Sequence, residues 1–74
     1  MDRALVNFGK KMTRYMKERN ESFRDMSSRI GINPSSLNDY ANAKRNISIT
    51  YAIKIARYFG KTVEEMVADE VNDS

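Results

Sequence analysis

Between Asn33 and Arg45 the chain concentrates short hydrogen-bonding side chains. Asn33, Ser35, Ser36, Asn38, Asp39 and Asn42 lie within ten positions, Pro34 stands among them, and Lys44 and Arg45 close the run. Amides and hydroxyls donate and accept, a carboxylate accepts, and the two cations donate. Such a set recognises a partner rather than breaking bonds. Histidine and cysteine are both absent, which removes the usual acid–base group, the thiolate nucleophile and the commonest zinc ligands. Asp, Glu, Lys, Tyr and Ser remain, but no motif pairs them. A chain of 74 residues also has little concave volume for a catalytic cleft. The expectation is a protein that is not an enzyme and uses no metal and no cofactor.

Charge indicates the kind of partner. Residues 1–61 hold all thirteen Lys and Arg and five acids, a balance of +8. Residues 62–74 hold five acids and no basic residue, a balance of −5. A basic body with an acidic end suits a polyanion. Apolar residues make up 41% of the chain, enough for one small domain with a thin core. No apolar run approaches the ~20 residues of a membrane span, and the N-terminus lacks a signal-peptide pattern. We therefore expect a cytoplasmic protein with no membrane partner.

The elements that must position these side chains follow from periodicity and punctuation. Leu5, Phe8, Met12, Tyr15 and Met16 recur at helical spacing, which predicts a helix from Arg3 to Glu18 with Asn20 as C-cap. Gly9 interrupts it and suggests a start nearer Phe8. Ser22 as N-cap, Asp25 at N3 and Gly31 after the last turn bound a short helix from Phe23 to Ile30. Asn33 as N-cap and Pro34 at N1 open a third helix to about Ala41. Two short helices joined by a tight Gly-containing turn make a helix-turn-helix. After a loop from Asn42 to Ile47, Ser48 caps a fourth helix through Phe59. Its predicted buried stripe is Ile49, Ala52, Ile53, Ala56 and Phe59, and Gly60 ends it. Thr62 and Glu65 form a capping box for a short fifth helix with Val63, Met66 and Val67 inward. Residues 1–68 form the domain, and 69–74 form an acidic, flexible tail.

The order and spacing of these signals resemble the phage repressor/Cro-type helix-turn-helix family, the XRE family. Its opening looks like Phe8-Gly9-Lys10-Lys11-Met12. Its turn looks like the stretch from Ser22 to Ile32, and its closing pattern like that from Ile49 to Met66. The resemblance implies an all-α, compact five-helix lambda-repressor-like domain with helices two and three as the helix-turn-helix. Four positions depart from the family. Phe23 stands where Gln is common and fits the core or its rim. Met16 and Ala41 stand where the family pairs Arg with Glu; replacing both partners by apolar groups leaves no stranded charge. Ala43 stands where the following loop has Gly.

In the family the N-terminal part of helix three enters the major groove. With about 100° per residue, Leu37, Tyr40 and Ala41 face the core, while Ser35, Asn38, Asp39 and Asn42 face outward. The resemblance thus implies base contacts from Ser35, Asn38 and Asp39, with Asn33 and Pro34 at the entry and Ser36 on the flank. Asn suits adenine, Ser suits several bases, and Asp accepts from cytosine. No Arg or Lys lies on this helix. Phosphate contacts fall to Ser22, Arg24, Asn42, Lys44 and Arg45. The implied function is a sequence-specific regulator that binds double-stranded operator DNA as a homodimer through the helix four–five region, with Val67 and Val71 at the interface. It would be prokaryotic or phage-encoded and associated with the nucleoid when bound. The alternative is a protein-interaction module of the same fold, an antirepressor or antitoxin acting on a protein partner.

Overall fold

The computed structural model describes residues 2–69 and contains five helices: α1 Arg3–Glu18, α2 Phe23–Ile30, α3 Pro34–Ala41, α4 Ile49–Tyr58 and α5 Val63–Val67. The described residues contain no strand. The fold is all-α and lambda-repressor-like, as expected. Helix α1 packs against α3 and α5, α2 against α3 and α4, and α4 against α5. The core is built from Phe8, Met12, Met16, Met26, Ile30, Ile32, Leu37, Tyr40, Ala52, Ile55, Ala56, Phe59 and Met66. Met16 belongs to this core and Ala41 packs against it, as does Phe23.

Helix α1 begins at Arg3, five residues earlier than Gly9 suggested. The Asp2 carboxylate caps it by accepting from the Ala4 N–H at 2.9 Å. Gly9 has a packing role: a Cβ there would lie 2.5 Å from the Ala41 carbonyl oxygen and 2.7 Å from that of Tyr40. The missing side chain lets α1 lie directly on the C-terminal turn of α3. The helix is therefore continued for tertiary reasons that local propensity does not contain.

Helices α1, α3 and α4 end in the same reversal. A residue just past the C-cap adopts positive φ, and two N–H groups return to the last-turn carbonyls, which is the Schellman arrangement. After α1 the residue is Asn20 (φ 54°), after α3 Ala43 (φ 55°), and after α4 Gly60 (φ 71°). Arg19, one residue before the expected position, is the C-cap of α1. Lys44 N–H donates to the Asp39 carbonyl at 2.8 Å and Ala43 N–H to that of Tyr40 at 3.2 Å.

The expected stripe on α4 needs correction. Ile55 is fully buried, whereas Ile49 is 68% and Ile53 38% exposed. The inward set is Ala52, Ile55, Ala56 and Phe59, spaced 3, 1 and 3. Ile49 and Ile53 are rotated off that line by about 60–100°. Three isoleucines on one short helix gave two competing apolar faces, and only the tertiary packing selects between them.

Two polar features hold the bundle together. The buried Lys11 ammonium donates to the carbonyls of Glu65 and, at 2.8 Å, of Ala68, closing the C-terminal end of α5. Glu21, its side chain 1% exposed, pairs with Arg29 and accepts from the Tyr58 hydroxyl. Arg19 lies over the Tyr58 and Phe59 rings and donates to the Tyr58 carbonyl at 3.1 Å. This cluster ties the end of α1 and the last turn of α2 to α4.

Candidate nucleic-acid interface

The helix-turn-helix is set by one glycine. Gly31 ends α2 in the left-handed conformation (φ 72°), which a side chain would disfavour. Ile32 then anchors the turn, only 1% exposed. Asn33 opens α3 by accepting the Ser35 N–H on its Oδ1 at 2.8 Å. Along α3, Leu37 and Tyr40 are buried and Ala41 half-buried. Ser35, Asn38 and Asn42 are exposed, as the helical phase required, and Pro34 is exposed at the entry. Ser36 and Asp39 are half-buried.

Several of these groups are already engaged, which narrows what each can recognise. Asn33 spends its carbonyl oxygen on its own cap, leaving the amide N–H groups. The Asn42 amide donates to the Asn38 backbone carbonyl at 2.9 Å and to Asn38 Oδ1 at 2.7 Å. Asn38 is thereby oriented with its NH₂ as the more available end. At the start of α2, Ser22 Oγ accepts from the Asp25 N–H at 3.0 Å, and the Asp25 carboxylate accepts from the Ser22 N–H at 3.1 Å. These bonds hold the Asp25 carboxyl below its ordinary value, the Ser22 backbone N–H first and its side chain second. Ser22 and Arg24 lie exposed beside this end.

Arg45 is placed where sequence alone did not put it. Its guanidinium reaches back onto α3, with Nη2 3.2 Å from Asp39 Oδ2 and Nη1 donating to Ser36 Oγ at 3.3 Å. The only sign of this in the sequence is Ala43, the C′ residue whose positive φ turns the chain back along α3. Its consequence for the face was missed. Lys44, beside it, is exposed.

The helix-turn-helix family model matches residues 14–66, from the middle of α1 to α5. The chain belongs to the Cro/repressor-type helix-turn-helix family. Comparison with the curated proteins and with the solved structures returned no match. Membership supports a DNA-binding regulator. No helix among the described residues is long and apolar enough to cross a membrane.

Proposed function

We propose that the protein is a sequence-specific transcriptional regulator that inserts α3 into the major groove of operator DNA. The observation that carries this reading is the exposed polar face of α3, set against α2 by Gly31 in a chain of the helix-turn-helix family. Ser35 and Asn38 contact base edges, with Asn33 and Pro34 at the entry and Asp39 and Ser36 behind them. Ser22, Arg24, Asn42 and Lys44 contact phosphates, and Arg45, ion-paired with Asp39, stands at the groove edge. The NH₂ end of Asn38 favours a base acceptor, and Ser35 adapts to several bases.

The protein acts as a homodimer on half-sites about one helical turn apart, ~34 Å. An apolar groove lined by Leu5, Ile47, Ile49, Val63 and Val67 supports a dimer surface on the α4–α5 side, with exposed Ile53 extending it. Val71, the other expected interface residue, lies outside the described residues. The interaction-module alternative drew its motive from the acidic end of the chain beside a reading face without arginine that carries Pro34 and the charge of Asp39. The Arg45 ion pair answers that charge and favours direct DNA reading.

The test is a titration of the protein against DNA from its own locus by fluorescence anisotropy at 50–300 mM salt. Binding that falls steeply with salt, by roughly one counterion per phosphate contact, is the expected result. Absence of binding at micromolar protein and low salt overturns the reading. Sedimentation equilibrium of the wild type and of Ile49→Lys tests the dimer: the substitution should shift the population towards monomer.

A further inference from the structure

We propose that Arg45, delivered from the α3–α4 loop and held by Asp39 and Ser36, reads a guanine in the major groove. The proposal rests on the DNA-binding reading above and assigns a specificity residue within it. Helix α3 itself carries no arginine or lysine, so from sequence the commonest guanine contact is missing. The structure supplies it from the next segment. The reversal at Ala43, closed by Lys44 N–H on the Asp39 carbonyl, turns the chain back beside the helix it has just left. Arg45 then lies across one turn of α3, bonded to Ser36 and Asp39. These two positions lie to one side of Ser35, which faces outward.

An exposed arginine on a flexible loop is drawn to phosphate, the largest charge nearby. Arg45 differs in two respects. A carboxylate already balances its charge, so the pair is neutral and gains little from a phosphate over a base. The ion pair with Asp39 Oδ2 and the hydrogen bond to Ser36 Oγ also hold the guanidinium beside α3. A guanidinium has five N–H donors in a rigid fork. One is used on Ser36, and four remain on a side chain that is 55% exposed and ion-paired to Asp39. Guanine presents O6 and N7, two acceptors matched by a bidentate arginine. Asp39 is then a positioning residue: it aims Arg45, and Arg45 removes the repulsion that Asp39 would otherwise feel in the groove.

The experiment selects bound sites from random duplexes with the wild type, Arg45→Lys, Arg45→Ala and Asp39→Asn, and measures each affinity as a function of salt. Thermal melts confirm that the variants fold. A wild-type site with a fixed guanine in each half is expected. Arg45→Ala should lose that preference and bind the site about 5- to 150-fold more weakly. Arg45→Lys keeps the charge but not the fork, and should select the guanine less strongly than the wild type while keeping more of it than Arg45→Ala. Asp39→Asn should weaken the guanine preference while leaving the other positions unchanged. Arg45→Ala weakening all sequences alike while the salt slope falls by about one would overturn the assignment and leave the DNA-binding reading intact. A folded wild type that binds no duplex would instead remove the reading on which the assignment rests.

Discussion

Ala43 occupies a conformation that its side chain disfavours, at φ 55°, for about 1 kcal/mol or more. Asn20 and Gly60 hold the same place after α1 and α4, and both are residues that tolerate it. The exception is the residue that returns Arg45 to α3. Ala43→Gly should therefore raise stability by roughly 0.5–1 kcal/mol, a rise in Tm of several degrees for a domain of this size. A lower Tm would show that the alanine methyl makes a packing contribution larger than its strain. At this scale the sequence was legible where a residue has one structural use. Asn33, Pro34 and Gly31 announce a cap, a first turn and a stop, and each does that in the structure. Arg45 was not legible in the same way. A cation in a loop has many positions open to it, and only the reversal preceding it selects one.

Between elements, Gly9 reverses the usual sign of a helical glycine. In an exposed helix, Gly→Ala gains about 1 kcal/mol. Here the new Cβ would meet two backbone carbonyl oxygens of α3, which cannot swing aside. Gly9→Ala should lose about 1–3 kcal/mol by forcing α1 and α3 apart, read as a lower midpoint in urea. An unchanged midpoint would mean that the two helices separate easily. The capping boxes of α2 and α5 carry a dependence on pH. Backbone and side-chain bonds from Ser22 hold Asp25, and those from Thr62 hold Glu65, below their ordinary values of 3.8 and 4.5. A carboxyl depressed in the folded state stabilises it fully above its ordinary value, and the contribution fades as pH falls through the lower, folded one. Melts from pH 7 to pH 2.5 should show the wild type losing its advantage over an Asp25→Asn, Glu65→Gln variant below about pH 4. A constant difference across that range would place the stabilisation elsewhere. Element boundaries were legible because the caps are chemical and local. The inward face of α4 was not, because Ile49, Ile53 and Ile55 offer two faces of similar hydrophobicity.

Across the molecule, the thirteen cations serve different ends. Lys44 and Arg24 stand exposed by the recognition surface. Arg19 and Arg29 are committed to the Tyr58 cluster, and Lys11 is buried against α5. The charge of the body thus overstates what is available to a polyanion. The salt slope of DNA binding should report only the exposed subset near α3. Counting charge from sequence could indicate the class of partner but could not separate these uses, which depend on contacts between residues 29 to 57 positions apart.

Lys11 also makes the docking of α5 observable. A lysine that is 7% exposed and whose ammonium is engaged by two carbonyls is shielded from acylating reagents, whereas its neighbour Lys10 is exposed. Under brief treatment with acetic anhydride, mass spectrometry should find Lys10 modified and Lys11 spared in the native protein. Lys11 should become labelled only as fast as α5 lifts from α1. A helix of five residues has no stability of its own, so that labelling rate times the departure of one end of the domain, with the adjacent lysine as an internal clock.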